Sequence, residues 1–225
     1  MRRAALAISS ATVMWNNRAM SNRYWISVAA VAVAAALAGV YVARIVSQPA
    51  VPSLESGTSL PQARPLADFN LVDTRGAAAS LATLRGHPTL VFFGFTYCPD
   101  VCPTTLALLA GVQKQVALPG LKVALISVDP ERDTPAQLGK YISSFGGDLI
   151  GLTGTTSEIS KTTKAFGVAA SRVELPGGSY TMDHSATVFA LDSDARIVAV
   201  FTPPFNAAAL TRDVARLAPV LTAHE

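Results

Sequence analysis

An uncharged apolar run near the N-terminus places the strongest constraint on this chain. Residues 25–43 (WISVAAVAVAAALAGVYVA) contain no charged side chain, and Arg44 follows them. At a helical rise of about 1.5 Å per residue, roughly 20 residues cross the hydrocarbon core of a bilayer. The run therefore predicts one transmembrane helix over residues 24–46. A cleaved signal peptide is the alternative, because small residues in the run offer cleavage sites.

The charges around this run predict its orientation. Four arginines precede it, at positions 2, 3, 18 and 23, and no acidic residue occurs before position 47. Positive residues stay on the cytoplasmic side of membrane helices. We therefore expect residues 1–23 to form a basic cytoplasmic N-terminus. The rest of the chain is then expected to face the periplasm from an inner (cytoplasmic) membrane.

The same charge distribution argues against nucleic-acid binding. The sequence pI is about 9.0, but the basic excess lies at the membrane flank. From Ser47 onward there are 13 Lys and Arg against 15 Asp and Glu, so the folded part lacks a basic surface of the kind nucleic acids require. Half of all residues are apolar, which excludes a disordered chain.

The remaining sequence predicts a linker and one α/β domain. Residues 47–65 contain four prolines and predict a flexible linker. Residues 66–225 then alternate between short apolar runs and capped amphipathic segments, an order typical of a thioredoxin-like domain. The predicted strands are 89–95, 122–128, 148–152, 186–191 and 196–202. The predicted helices are 103–116, 135–145, 156–166 and one that starts after Asn206, with an inserted hairpin at 173–180.

The two cysteines of the chain lie four residues apart between a predicted strand and a predicted helix. At Cys98 and Cys102, the N-terminal end of the helix favours thiolate, so we expect lowered thiol pKa values. Positions i and i+4 share one side of a helix, which suits a metal bridging both sulfurs. A structural disulfide is the alternative, but its small loop would stabilise the fold little.

A third ligand is expected from histidine. His184 precedes the predicted strand 186–191, whose entry loop faces the cysteine turn in a thioredoxin-like fold. His87 and His224 are interpreted as solvated residues. Two Cys and one His form a soft ligand set that favours copper, with zinc as the competitor. Asp183 is expected either to orient His184 or to cap a turn.

A second polar string follows the strand at 122–128. Residues 129–135 (DPERDTP) place four ionisable groups within five positions, at the strand end where open α/β sheets form their sites. A turn followed by a helix cap accounts for most of these residues. Docking of a partner protein is the alternative interpretation.

Three motifs resemble the SCO/SenC family of cytochrome oxidase assembly proteins. They are FGFTYCPDVCPTTL at 93–106, SVDPERDTP at 127–135 and DHSATVFALD at 183–192. The resemblance covers residues 66–217 and implies a thioredoxin-like domain that binds Cu(I) or Cu(II). The positions that match the family's copper ligands are Cys98, Cys102 and His184.

The resemblance also implies partners and two alternative functions. As a membrane-anchored copper chaperone, the protein would deliver copper to the dinuclear (CuA) centre in the copper-carrying subunit of cytochrome c oxidase. Alternatively, as a thiol–disulfide reductase, it would keep the cysteines of that subunit reduced, with Cys98 and Cys102 as its redox-active pair. Either role implies an upstream copper donor or thiol reductant.

Overall fold

The computed structural model describes residues 22–46 and 52–223, which belong to two separate compact units. The first unit contributes one helix, α1 (Asn22–Val46), where a transmembrane helix was predicted. Within α1, Trp25–Val42 is long and apolar enough to cross a membrane, by length and composition. The predicted cytoplasmic segment 1–23 lies outside the described residues except at its last two positions.

The second unit contains strands and helices in alternation. Its strands are β1 (Gly57–Arg64), β2 (Leu71–Asp73), β3 (Ala78–Ala79), β4 (Thr89–Gly94), β5 (Lys122–Ser127), β6 (Leu149–Thr153), β7 (Ala170–Glu174), β8 (Tyr180–His184), β9 (Val188–Leu191) and β10 (Ile197–Phe201). Its helices are α2 (Val101–Gln115), α3 (Pro135–Ser143), α4 (Thr156–Phe166) and α5 (Ala207–Leu221).

One sheet organises this unit, with the strand order β1-β10-β9-β4-β5-β6-β2-β3. Strands β4, β5 and β6 run parallel, while β9 pairs antiparallel with β4 and β10 pairs antiparallel with β9. Every residue of β4 is buried, as a strand covered on both faces requires. Because β4 and β5 run parallel, their carboxyl ends lie side by side at one end of the sheet, where the cysteine turn begins.

Side-chain caps start three of the helices where the sequence predicts them. Thr134, Thr155 and Asn206 each accept a hydrogen bond from the backbone N–H three residues later, which satisfies a donor that the helix cannot satisfy itself. Helix α4 is capped at its C-terminal end by Gly167, whose φ of 78° is a left-handed conformation that favours glycine.

The predicted linker over 47–65 is wrong in its C-terminal half. Residues 57–64 form β1, which pairs antiparallel with β10 at the edge of the sheet. Leu60 and Ala63 pack against the core, and this burial favours a strand over a tether. Pro61 is tolerated because the pairing is irregular between Ser59 and Arg64. The folded unit therefore begins before residue 66.

The predicted hairpin is present and is longer than expected. Strands β7 and β8 pair antiparallel from Ala170↔His184 to Glu174↔Tyr180 and form a two-stranded sheet of their own. The turn contains Gly177 and Gly178, which both have positive φ. His184 is the last residue of β8, so the hairpin carries it.

Candidate metal centre

The two cysteines lie where β4 leads into α2, with Cys98 on the connecting turn. Cys102 occupies the first turn of α2 and is fully buried, whereas Cys98 is half-buried. The backbone N–H of Cys102 donates to the Sγ of Cys98 at 3.4 Å. Both thiols are free in this structure. The pair therefore combines a half-buried cysteine with a fully buried one.

Gly94, the last residue of β4, allows Cys102 to sit directly against the sheet. A Cβ atom at this position would lie 3.0 Å from the Sγ of Cys102 and 3.0 Å from a ring carbon of Phe92. Real Cβ atoms rarely approach other atoms so closely. The position of the buried sulfur thus depends on the absence of a side chain at Gly94.

His184 reaches the buried cysteine from the hairpin. Its Nε2 lies 3.5 Å from the Sγ of Cys102, and its Nδ1 lies 3.2 Å from the carbonyl oxygen of Ser185. A carbonyl oxygen only accepts, so Nδ1 carries the proton and the Nε2 lone pair faces the sulfur. The orienting role suggested for Asp183 is filled by this carbonyl, which the sequence did not indicate.

The surroundings of the imidazole keep it neutral. Burial lowers the pKa of His184, and the rings of Phe92 and Phe95 approach its ring edge-on with centroids 6.1 Å and 5.9 Å away. Neutral imidazole is the form that binds metals. The site therefore holds His184 ready to act as a ligand at neutral pH.

The expectation of lowered thiol pKa values is wrong for Cys102. Burial raises the pKa of this thiol, and Cys98 beside it acts in the same direction. The helix N-terminus favours thiolate, but loss of water around a fully buried sulfur costs more. In the metal-free protein Cys102 is thus a thiol that can donate to His184.

Two of the three predicted ligands, Cys102 and His184, are in side-chain contact, and Cys98 lies beside Cys102. Within residues 22–46 and 52–223, no three His, Cys, Asp or Glu side chains form a ready metal site. His87 contacts Thr89 instead, and His224 lies outside the described residues. The donor chemistry of two sulfurs and one imidazole nitrogen suits copper.

The 129–135 string turns two of its carboxyl groups inward. Asp133 is fully buried and accepts hydrogen bonds from the backbone N–H and the hydroxyl of Thr96 and from the hydroxyl of Ser127. Burial raises the pKa of Asp133. This carboxyl group ties the end of β5 to the cysteine turn, a structural role that the alternative of partner docking did not include.

Sequence reasoning missed Tyr141 on α3. Its hydroxyl is buried without a hydrogen-bond partner. Burial raises the pKa of this phenol, and Cys102 and Cys98 add to the effect. A tyrosine on the apolar face of an amphipathic helix carries no distinctive signal, so the sequence could not have singled it out.

Comparisons with known proteins agree on one family. The family model described as SCO1/SenC matches residues 58–219. The mitochondrial Protein SCO2 homolog of Bos taurus is 35% identical over 159 residues, covering 66% of this chain and 58% of that protein. The chain therefore spans little more than half the length of this relative.

Solved structures give the same result. Bradyrhizobium japonicum ScoI with copper bound is 41% identical, with a TM-score of 0.58 over 69% of this chain and 96% of that chain. BsSco, described as a Sco-family cytochrome c oxidase assembly protein with a disulfide switch, is 25% identical, with a TM-score of 0.57 over 73% of this chain and 99% of that chain. The predicted thioredoxin-like α/β fold is confirmed by these matches.

Proposed function

Since the chain belongs to the SCO1/SenC family, we propose that it binds copper through Cys98, Cys102 and His184 and delivers it during cytochrome c oxidase assembly. The recipient is the dinuclear copper (CuA) centre in the copper-carrying subunit of the oxidase. One observation carries the proposal: the contact between Cys102 Sγ and His184 Nε2, which joins residues 82 positions apart.

Each ligand has a distinct part in holding the cargo. Cys102 and His184 form the buried side of the site, where a soft sulfur and a neutral nitrogen already face each other. Cys98 is the less buried of the two cysteines. A donor set with one less buried member suits a site that takes up and releases metal, because an incoming thiol can replace that member first.

The membrane helix supports the location of this activity. We place α1 across an inner membrane as an uncleaved anchor, with residues 1–23 in the cytoplasm and the folded unit in the periplasm. The apolar stretch Trp25–Val42 and the four arginines before it support this orientation. An exported location also requires an upstream copper donor or thiol reductant on the same side.

Copper stoichiometry of the reduced full-length chain in detergent tests the proposal. We expect one tightly bound copper in the wild type and strongly reduced binding in His184→Ala. His87→Ala is the matched control, since His87 is a partly buried histidine that contacts Thr89 away from the cysteines. Equal copper binding by wild type and His184→Ala would refute the three-ligand site.

Thiol–disulfide reduction is a second candidate function, favoured by the unequal exposure of the two free thiols. Cys98 would attack a partner disulfide, and Cys102 would then resolve the mixed disulfide. The partner gains two electrons and two protons, while Cys98 and Cys102 form a disulfide that an upstream thiol reductant must reduce. Reduction of a disulfide peptide that survives His184→Ala but not Cys98→Ser would favour this function.

A further inference from the structure

The hairpin that carries His184 is not held in place by strand pairing with the main sheet, so other contacts must hold it. Strands β7 and β8 pair with each other and not with the eight-stranded sheet. At the His184 end, the backbone N–H of Ser185 donates to the carbonyl of Ala169, which extends the pairing of the hairpin's own two strands by one step. The other end of β8 is Tyr180, next to the hairpin turn. This end is held by a side chain from outside the hairpin.

Arg132 lies in the loop between β5 and α3 and holds the Tyr180 end of β8 through polar contacts. Its Nη1 donates to the backbone carbonyl of Tyr180 at 2.9 Å. Its Nε donates to Asp129 at 2.5 Å, and the hydroxyl of Tyr180 donates to the same carboxylate at 2.9 Å. Asp129 is almost fully buried, so this charge depends on both partners.

The ring of Tyr180 is also stacked between two arginines. The guanidinium carbon of Arg132 lies 3.7 Å from the ring centroid, and that of Arg172 lies 3.6 Å from it. Two guanidinium groups this close to one centroid must occupy opposite faces. Arg172 is held in turn by Glu131 and Glu174. We call Arg132, Tyr180 and Arg172 the arginine stack.

The arginine stack extends to the cysteine turn. The guanidinium carbon of Arg132 lies 4.7 Å from the ring centroid of Tyr97, the residue before Cys98, and 5.8 Å from that of Phe95. One guanidinium group therefore contacts the hairpin, the loop after β5 and the turn after β4. These are the segments that surround the candidate metal centre.

Part of this guanidinium is held by stacking alone. Its Nη2 is buried without a hydrogen-bond partner, although unpaired buried donors are costly. A planar guanidinium stacks on aromatic faces, whereas an ammonium group does not. A lysine at this position could keep the ion pair with Asp129 but could not reproduce the stack.

We propose that Arg132 is a positioning residue for the metal centre, which holds β8 through Tyr180 so that His184 faces Cys102. The proposal rests on the copper-binding function proposed above. Tyr180, Met182 and His184 lie on one face of β8, because side chains alternate along a strand. Fixing the first of them fixes the direction in which the last one points.

The two oxidation states of copper should respond differently when the stack is lost. Soft thiolates favour Cu(I), so Cys98 and Cys102 contribute a larger share of the Cu(I) affinity than of the Cu(II) affinity. Cu(II) depends more on the imidazole. Disturbing the groups that orient a metal ligand typically weakens metal binding by about 10–100-fold. We therefore expect Arg132→Lys to weaken Cu(II) binding by this factor and Cu(I) binding by less.

The control is Arg196→Lys, which makes the same exchange in a matched environment. Arg196 pairs with the buried Asp192 across the β9–β10 turn, and its side chain is 23% exposed, against 22% for Arg132. It lies at the opposite end of β9 from His184. Tyr180→Leu is a second variant, which removes the stacked ring and leaves the ion pair between Arg132 and Asp129.

The experiment measures Cu(II) and Cu(I) affinity, the EPR spectrum of bound Cu(II), and amide hydrogen exchange of β8 in the metal-free full-length chain. We expect Arg132→Lys and Tyr180→Leu to accelerate amide exchange in β8. Both variants should also weaken Cu(II) binding more than Cu(I) binding and reduce the nitrogen hyperfine signal of bound Cu(II). Arg196→Lys should behave like wild type in all of these measurements. Arg132→Lys that matches Arg196→Lys in copper binding or in exchange overturns the role of Arg132. Wild type that binds no copper overturns the proposed function itself, and this proposal with it.

Discussion

The imidazole of His184 and the sulfur of Cys102 face each other at 3.5 Å, with the proton on Nδ1 held by the carbonyl of Ser185. Nε2 is thereby left as an acceptor toward a thiol whose pKa burial raises. In the metal-free protein, this pair is a neutral donor and acceptor. A metal that binds the Cys102 sulfur must displace the proton of this thiol, so copper affinity should depend on pH.

Copper affinity should rise with pH through the titration of Cys102. Because its pKa is raised, the group is a thiol at pH 7, and each copper bound through it releases a proton. That proton alone makes the affinity increase by about tenfold per pH unit, and a proton released from Cys98 on binding adds to the slope. Competition titrations between pH 6 and 8 measure the slope. Affinity independent of pH would show that Cys102 is not deprotonated on binding.

Gly94→Ala should disturb the buried sulfur. The added Cβ would meet Cys102 Sγ and Phe92 at 3.0 Å, and such overpacking typically costs about 1–3 kcal/mol. Urea denaturation of the chain in detergent measures the loss. Gly111→Ala is the matched control: it lies in helix α2, where an added Cβ meets nothing within 4 Å, and it should stabilise by about 0.5–1 kcal/mol. Equal effects of the two changes would contradict this account of Gly94.

His184 should make the fold less stable in mild acid. Burial lowers its pKa from 6.5, so the unfolded chain takes up a proton at a higher pH than the folded chain does. The free energy of unfolding therefore falls as pH drops below about 6.5 and stops falling once pH passes the lowered pKa. His184→Gln should remove this decline. The pKa of His87 is also lowered, but His87 is present in both wild type and His184→Gln. If the free energy of unfolding of the two proteins falls in parallel with pH, the decline does not come from His184.

Asp213 should be important for attaching the segment that precedes β1. It is fully buried and accepts the backbone N–H groups of Glu55 and Ser56 and the hydroxyl of Ser56. An asparagine offers one acceptor oxygen in place of two, so Asp213→Asn should destabilise by about 1–3 kcal/mol. Urea denaturation measures the loss, and limited proteolysis near residue 55 should show faster cleavage. Glu55→Gln, which removes surface ion pairs with Arg212 and Arg216, should have little effect.

The sequence predicted that the cysteine turn and His184 would lie close together, because the signals for this are local or follow from the fold class. The spacing of Cys98 and Cys102 and their place before a helix are local features. The contact of Cys102 with His184 followed from strand order alone. The capped helices were likewise predictable, since Thr134 and Thr155 satisfy backbone donors three residues away.

Long-range packing explains what the sequence did not predict. Nothing in residues 57–64 shows that β10 lies alongside to pair with them, so their prolines suggested a linker. The pKa of Cys102 could not be predicted because the depth of its burial depends on the whole sheet. Arg132 was read within a turn motif, whereas its stacking partner Tyr180 lies 48 residues later.

The separation between Cys102 and His184 also makes the proposed copper a cross-link. A metal joined to both side chains closes a loop of 82 residues, and a long closed loop removes much of the freedom of an unfolded chain. A ligand that binds the folded state alone also shifts the folding equilibrium toward that state. The loaded protein should therefore outlast the empty one when both are heated or exposed to protease, and unloading would return it to the more fragile form.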